Sequence, residues 1–308
     1  MPRFDVTIAG ELNLDLILYG LPEQLMPERE LLADRMMLTL GSSSAIVAHN
    51  LSSLGSRVGF QSRIGDDPLG RISLERLQES GVDVSRVRVV PGASTTGLTV
   101  ILHHAHWRNI LTYAGTIAEL TWDDLDLEYL ADSRHFHFSS YYLQKSLRPR
   151  VAELFRYLKS RGLTISLDTN DDPEDRWEGG LHELLPHVDV FLPNEREACK
   201  AARTKALEEA IDRLSEMVPL LVVKLGRKGA LAQKGSERFT AETKEVVPVD
   251  SVGAGDSFDA GFLHEYVRGS DLAKCLAGGN AAGALSTTRP GGTEAFRDRE
   301  NHRKLFGR

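Results

Sequence analysis

The segment at residues 250–262, DSVGAGDSFDAGF, combines small residues and a carboxylate in a pattern that suits phosphate chemistry. Gly253, Ala254 and Gly255 precede a predicted helix, whose uncovered backbone N–H groups can hold an anion at its positive end. A carboxylate at Asp256, beside such a site, costs electrostatic energy unless it has another task. One such task is to accept the proton of an attacking hydroxyl in phosphoryl transfer. The alternative is that Asp256 caps the helix, and this segment alone leaves both interpretations open.

Two common nucleotide-binding motifs are absent from the chain. It contains neither G-x-x-x-x-G-K-[ST] nor a G-x-G-x-x-G that follows a predicted strand. The sequence therefore disfavours P-loop enzymes and Rossmann dehydrogenases.

Apolar runs of strand length alternate with helical periodicity along most of the chain. Strands are predicted at residues 5–9, 163–167, 188–192 and 220–225, with a further strand-like run at 245–249. Helical spacing connects Leu147, Val151, Leu154, Phe155 and Leu158, and likewise Leu207, Ile211 and Leu214. This order predicts an α/β fold with a mainly parallel central sheet that is covered by helices on both faces.

Two further strand-like segments depart from this rhythm. Residues 96–103 and 108–113 are separated by only a few residues, which predicts an antiparallel hairpin projecting from the main sheet. The polar segment 20–35 is expected to add strands to the same flap. We therefore expect a small β-rich lid, with Arg108 facing solvent or, alternatively, meeting an acidic or phosphorylated sugar.

Composition limits the class of protein. The 308 residues are 41% hydrophobic, which is typical of a folded globular chain, and the net charge is −7, which disfavours nucleic acid as a partner. We find no membrane-spanning run and no signal peptide, so we expect no membrane partner. The two cysteines, Cys199 and Cys275, have no metal-binding spacing and suit a reducing, cytoplasmic location.

An ordered set of motifs resembles the ribokinase-like, or PfkB-type, carbohydrate kinase family over nearly the whole chain. The segment 250–262 is similar to the C-terminal signature of that family. The other matching segments are GELNLD at 10–15, GSSSAIVAHNLSSLG at 41–55, IGDDPLG at 64–70, PNERE at 193–197 and LGRKG at 225–229. The resemblance implies a ribokinase-like α/β kinase domain over residues 1–308, with lid segments at about 11–40 and 94–118.

The resemblance also implies roles for the residues of the phosphate side. Asp256 would be the catalytic base, and Gly253, Ala254 and Gly255 would form an anion hole. Asn194 and Glu197 would help to position Mg²⁺ through water. Lys224, Gly226, Gly229 and Asn280 would bind ATP. The alternatives are an ordinary helix N-terminus for Asn194 and Glu197, and a close helix-packing position for Asn280.

A monovalent cation site and an acceptor site are further implications of the resemblance. Asp250, Val252 and Gly291 would hold K⁺ beside the anion hole. Asn13, Asp15, Gly41, Ser42 and Ser43 would bind the sugar, with exposure at a loop edge as the alternative for Asp15. Ile46 stands where an Asn is typical of the family, and Asp172 stands where an Arg is frequent. These departures affect the identity of the sugar and leave the phosphoryl-transfer residues intact.

The function implied is ATP-dependent phosphorylation of a hydroxymethyl group on a small sugar or sugar derivative. A nucleoside kinase of the same superfamily is the alternative within enzymes, because Ile46 suits an apolar base. A catalytically silent nucleotide-binding regulator is the alternative outside enzymes. The lid is a candidate homodimer interface.

Overall fold

The structure, a computed structural model, describes residues 1–92, 94–104 and 107–297. Its strands are β1 (Phe4–Ala9), β2 (Leu14–Tyr19), β3 (Arg35–Leu40), β4 (Val58–Gly65), β5 (Asp83–Val90), β6 (Leu98–His103), β7 (Arg108–Tyr113), β8 (Ser133–Phe138), β9 (Thr164–Leu167), β10 (Val190–Phe191), β11 (Leu220–Lys224), β12 (Ala230–Lys234) and β13 (Glu237–Ala241). Its helices are α1 (Ser43–Ser53), α2 (Pro68–Glu79), α3 (Leu127–Ala131), α4 (Val151–Ser160), α5 (Leu181–Leu184), α6 (Glu195–Ala201), α7 (Leu207–Ser215), α8 (Ala254–Tyr266), α9 (Leu272–Ser286) and α10 (Glu294–Arg297). Within these ranges, no helix has both the length and the apolar character needed to cross a bilayer.

Nine strands form the main sheet in the order β13-β12-β11-β10-β9-β8-β1-β4-β5. The pairs from β11 to β5 are parallel, whereas β12 and β13 are antiparallel additions at one edge. Side chains of β11 alternate between two cores, since Leu220 and Val222 pack with α1, α8 and α9, and Leu221 and Val223 pack with α4, α6 and α7. This alternation confirms the predicted helix-covered, mainly parallel sheet.

The helices predicted from the apolar spacing within residues 147–158 and 207–214 are present as α4 and α7, and both pack in the same core. In α4, the residues Val151, Leu154, Phe155 and Leu158 are fully buried, and in α7 so are Ile211 and Leu214. The predicted strand at 188–192 is reduced to the two residues of β10, which lie between β9 and β11. Residue spacing thus identified the elements more reliably than their ends.

Four strands form a second sheet in the order β3-β2-β6-β7, which we call the lid. β6 and β7 are the predicted antiparallel hairpin, and β2 joins them by pairing parallel to β6. All four strands lie within segments 11–40 and 94–118. The prediction of strands within 20–35 is wrong, because this segment is the connection between β2 and β3 and its proline and charged residues do not pair.

The segment that leads to Asp256 also differs from its prediction. Residues 245–249 form no strand, and Val247 and Val249 are 87% and 48% exposed. The chain leaves the sheet when β13 ends at Ala241, so this run has no neighbouring strand to pair with. Residues 245–249 therefore have the apolar composition of a strand but lack the pairing that forms one.

Two helices that carry predicted site residues pack at very short range. A Cβ atom at Gly261 of α8 would lie 2.3 Å from the carbonyl oxygen of Gly278 in α9. Only glycine allows this approach. The contact places α8, which bears Asp256, directly against α9, which bears Asn280.

Candidate active site

The lid and the carboxyl ends of the main-sheet strands enclose a cavity of about 980 Å³. Most of the predicted site residues line it, namely Asn13, Asp15, Ser42, Ser43, Asn194, Glu197, Lys224, Gly226, Gly229, Val252, Gly253, Ala254, Gly255, Asp256 and Asn280. Gly41 and Asp250 lie outside this lining and contact its residues Asp15 and Val252, and Gly291, also outside it, bonds to Asp250. Residues as far apart in sequence as Asn13 and Asn280 therefore converge on one cavity.

The turn before α8 has the geometry of an anion site. Gly253 is the N-cap of α8 in the left-handed region, with φ of 69°, and no side chain caps the helix. A Cβ atom at Gly253 would lie 2.5 Å from the Cα atom of Gly292, so the position requires glycine. Gly253, Ala254 and Gly255 line the cavity, and the Ala254 N–H also donates to the Ser251 carbonyl oxygen at 3.3 Å. N–H groups of a first helical turn that no side chain caps can bind a phosphoryl group.

Asp256 lies in the first turn of α8 and is held from outside the helix. Its Oδ1 accepts hydrogen bonds from Ser43 Oγ at 2.6 Å and from Asn170 Nδ2 at 3.3 Å. Burial raises the pKa of Asp256, and the Ser43 hydrogen bond opposes that shift. Because the N-cap is Gly253 and the helix has no side-chain cap, Asp256 does not cap α8, but its place in the first turn does complement the helix dipole, as the alternative interpretation expects.

A buried lysine pairs with two carboxylates beneath this turn. Lys224 Nζ lies 2.6 Å from Asp168 Oδ2 and 3.2 Å from Asp259 Oδ1, and each of the three side chains is at most 10% exposed. Burial alone would lower the pKa of Lys224, but the two neighbouring charges outweigh burial and raise it. Lys224 was predicted to contact nucleotide, and in this arrangement its charge is already engaged by Asp168 and Asp259.

Asn194 and Glu197 meet Lys224 at the end of β11. Asn194 forms a parallel bridge with Lys224, and it exchanges hydrogen bonds with Glu197 in a capping box of 2.8 and 2.9 Å. Their alternative role as a helix N-terminus is therefore confirmed, while both also line the cavity. Burial, followed by the charge of Asp168, raises the pKa of Glu197 to about 7.

Gly226, Gly229 and Asn280, the residues predicted to bind nucleotide, line another part of the cavity. Gly226 and Gly229 have φ of 58° and 92°, and a Cβ atom at Gly229 would lie 2.0 Å from the carbonyl oxygen of Ala241. Asn280 Nδ2 donates to the carbonyl oxygens of Ala241 and Glu242 at 2.8 and 3.2 Å. Asn280 thus fixes the exit of β13 and also lines the cavity.

Asp15 lies on the lid side of the cavity and is 5% exposed, so the alternative of an exposed loop edge is wrong. It belongs to β2, opposite Thr39 and Thr99. Burial, followed by the charges of Asp256 and Asp250, raises the pKa of Asp15 to about 7. A Cβ atom at Gly41 would lie 2.1 Å from Asp15 Oδ1, so the absent side chain of Gly41 gives this carboxylate its space.

The other residues predicted for the acceptor have local partners as well. Asn13 Nδ2 donates to the carbonyl oxygen of Leu14 at 3.1 Å. Ser42 is the N-cap of α1, and its hydroxyl accepts from the Ala45 N–H at 3.2 Å. Ile46 packs against the backbone of Gly253 and Gly292, so its side chain also supports the anion-binding turn.

The lid touches the loop that precedes the anion site. Asp250 Oδ2 accepts from the Tyr19 hydroxyl at 2.8 Å and from the Gly291 N–H at 3.2 Å, while its Oδ1 accepts from the Val252 N–H at 3.0 Å. Arg108 Nη1 donates to Ser251 Oγ at 2.7 Å. Arg108 is exposed, as expected, yet it also reaches across the cavity to this loop.

Sequence reasoning missed several residues of the cavity. Glu11 is buried and accepts from Ser44 Oγ at 2.8 Å and Ser140 Oγ at 2.7 Å. Asn170 was passed over, although the D-T-N-D-D segment that contains it follows a predicted strand. Asp172, at the position where the family often has Arg, instead accepts backbone N–H groups of its own loop at 2.7 to 3.0 Å.

We expect Lys224→Met to lower the free energy of unfolding by about 3–5 kcal/mol at pH 8, because it leaves two buried carboxylates without their cation. The loss should be smaller at pH 5. The unpaired carboxyls would have raised pKa values in the folded state, so the folded state binds more protons and stability falls as pH rises. Urea unfolding at both pH values measures this, with exposed Lys234→Met as the control. Equal losses for both variants would contradict the assignment.

The chain is similar to known proteins over most of its length. The family model described as "pfkB family carbohydrate kinase" matches residues 4–299. The 2-dehydro-3-deoxygluconokinase of Bacillus subtilis is 29% identical over 274 residues, which cover 85% of this chain and 84% of that protein. The cytidine kinase of Thermococcus kodakarensis is 28% identical over 278 residues, which cover 88% of this chain and 92% of that protein. A candidate ribokinase II from E. coli, solved with ATP and Mg²⁺, superposes with a TM-score of 0.83 at 26% identity over 98% and 99% of the two chains.

Proposed function

The chain belongs to the PfkB family of carbohydrate kinases, and we propose that it transfers the γ-phosphoryl group of ATP to a hydroxymethyl group of a small polyhydroxylated acceptor. The observation that carries the proposal is the half-buried Asp256 beside the uncapped N-terminus of α8. The Asp256 carboxylate can accept a proton, and the N-terminus of α8 can bind the charge of the phosphoryl group. The two requirements of the transfer thus meet within one helical turn.

ATP would occupy the half of the cavity that contains Gly226, Gly229 and Asn280. The glycines let the backbone approach the nucleotide closely. Mg²⁺ would be held through water by Asn194 and Glu197, whose carboxylate and amide oxygens suit this hard cation, and it would neutralise phosphate charge. The E. coli protein solved with ATP and Mg²⁺ supports this part of the proposal.

The acceptor would lie between the lid and α8. Asp15 can accept hydrogen bonds from a pair of hydroxyls, and Asn13 and Ser42 lie on the same side of the cavity. Closure of the lid would exclude water and limit wasteful ATP hydrolysis. The edge strand β7 exposes Leu111 and Tyr113 on the face away from the cavity and remains the predicted homodimer interface, which sedimentation analysis of the purified chain can test.

A nucleoside acceptor is the second candidate. Ile101 and Ile110 of the lid strands and Ile46 of α1 line the cavity with apolar side chains and suit a planar base. The likeness to a cytidine kinase supports this candidate, just as the likeness to a 2-dehydro-3-deoxygluconokinase supports a sugar acid. ADP formation with neutral sugars, sugar acids and nucleosides distinguishes the classes.

We expect Asp256→Asn to lower kcat by about 10²–10⁴-fold with the preferred acceptor, because the amide keeps the size of the carboxylate but cannot accept the proton. Binding of ATP should remain, which calorimetry can measure. Asp212→Asn, an exposed carboxylate of α7, is the control. Turnover near that of the unmodified enzyme would contradict the role of Asp256 as the base.

We expect Asp15→Ala to lower kcat/KM for the acceptor by about 10–100-fold and to leave the KM for ATP almost unchanged, because unpaired hydroxyls lose about 1–3 kcal/mol each. Steady-state kinetics with the acceptor and its deoxy analogues measure this. Asp34→Ala, an exposed lid carboxylate outside the cavity lining, is the control. An increase in the KM for ATP alone would place the acceptor elsewhere.

A monovalent cation beside Asp250 is a further part of the proposal. Three of the four lone-pair positions of this carboxylate accept hydrogen bonds, which leaves one on Oδ1 for K⁺ together with backbone carbonyls of Val252 and Gly291. Replacing Na⁺ by K⁺ at constant ionic strength should then raise kcat, because screening is unchanged and only the site responds. If the rate of ion-depleted enzyme does not depend on the K⁺ concentration, the proposed cation site is wrong.

A further inference from the structure

The two oxygens of the Asp256 carboxylate have different surroundings. Oδ1 accepts from Ser43 Oγ at 2.6 Å and from Asn170 Nδ2 at 3.3 Å. We propose that Ser43 and Asn170 are positioning residues that hold Oδ1 and so present Oδ2 to the acceptor hydroxyl. This inference rests on the proposed kinase function, and it moves Ser43 from the acceptor site to the support of the base.

The orientation of the Asn170 amide is determined by a second contact. Its Oδ1 accepts from the backbone N–H of Ser140 at 2.8 Å, which identifies the oxygen end of the amide. The nitrogen end therefore faces Asp256 as a donor. The backbone N–H of Asn170 donates to Asp168 Oδ1 at 3.0 Å and holds the residue from its other side.

Ser43 is equally well placed. It is the first residue of α1, is 8% exposed and follows the N-cap Ser42. The start of the helix determines the direction of its side chain. A hydroxyl at 2.6 Å from a carboxylate oxygen is a short, charge-assisted donor.

The backbone around these donors is strained. Ser42, Ser140 and Asn170 are non-glycine residues with φ of 66°, 52° and 51°. Such conformations are unfavourable for residues with a side chain and persist where the surroundings hold them. Ser140 is held by its hydrogen bond to Glu11 Oε1 at 2.7 Å. Ser140 in turn donates to Asn170, and Ser42 directly precedes Ser43, so the strained residues lie at or beside the two donors to Asp256.

The two donors also affect ionisation. Burial and the negative charge of Asp168 raise the pKa of Asp256, whereas the hydrogen bonds from Ser43 and Asn170 and the charge of Lys224 lower it. The carboxyl groups of Asp15, Glu197 and Asp259 also interact electrostatically with Asp256. The donors thereby help to keep the base ionised. In the transfer, the acceptor O–H bond breaks and its proton goes to Oδ2, while the acceptor oxygen bonds to the γ-phosphorus. The bond from that phosphorus to the β–γ bridging oxygen breaks, and its electron pair leaves with ADP.

The pH dependence of kcat/KM for the acceptor tests this role. We expect Ser43→Ala to move the acid limb of the profile upward by about one pH unit, because a lost hydrogen bond to the carboxylate favours its protonated form. The loss of activity should then be about 10-fold below the limb and smaller above it. Asn170→Gly should move the limb in the same direction, because it also removes a donor to Asp256. Glycine is chosen because it tolerates the positive φ of this position. Ser43→Thr, which keeps the hydroxyl, should restore the original profile.

Ser62→Ala is the matched control. Ser62 is a buried hydroxyl of β4 without a hydrogen-bond partner, and it lies outside the cavity lining. Its profile should not move. Equal losses at every pH in Ser43→Ala and Asn170→Gly, with unmoved acid limbs, would overturn the positioning role. If Ser43→Ala fails to fold, the profile of Asn170→Gly decides. An active Asp256→Asn variant would instead overturn the proposed function itself.

Discussion

One buried ammonium group balances the acidic residues at the centre of this protein. Lys224 Nζ lies between Asp168 and Asp259, and a Cβ atom at Gly255 would be only 3.7 Å from that nitrogen. The lysine is therefore directly beneath the turn proposed to bind phosphate. Carboxylates buried together without a cation would neutralise by protonation, because a low-dielectric site cannot hold several like charges. Lys224 thus allows an acidic cluster and an anion site to lie side by side.

The position of this lysine follows from the parallel sheet. β10 ends at Phe191, which pairs with Leu221, and β11 continues to Lys224. The Lys224 N–H donates to the Pro193 carbonyl oxygen at 2.9 Å, and Asn194 forms a bridge to Lys224. From the other core, the close contact of α8 and α9 brings Asp259 to the same point. Sheet and helices are therefore coupled through a single charge, and the first turn of α8, with Asp256, has a fixed place above it.

The lid is coupled to the same turn by polar contacts. Tyr19 of β2 and Arg108 of β7 bond to Asp250 and Ser251, the two residues that begin the loop before α8. The Gly291 N–H joins this loop to the segment that follows α9. A change in lid position would therefore also alter the loop at the anion site. The proposed acceptor would lie between these two parts, where Asp15 and Asp256 line one cavity and the charge of Asp256 helps to raise the pKa of Asp15.

Much of this protein was predictable from local patterns, since helix and strand periodicities reflect burial that each segment needs by itself. The β6–β7 hairpin, the helices α4 and α7 and the glycine turn before Asp256 are of this kind. The motif order also identified the family, and most of the site residues that it predicted line the cavity. Local pattern failed at 245–249 and at 20–35, because strand formation depends on a neighbouring strand that composition does not show.

Only the tertiary structure decided the partners of charged and polar groups. The pairing of Lys224 with Asp168 and Asp259, of Ser43 and Asn170 with Asp256, and of Tyr19 with Asp250 joins residues 35 to 231 positions apart. Sequence determined which residues could do chemistry, while the crossing of sheet, helices and lid determined which of them meet, because hydrogen bonds and buried charges act over a few ångströms in space and not along the chain.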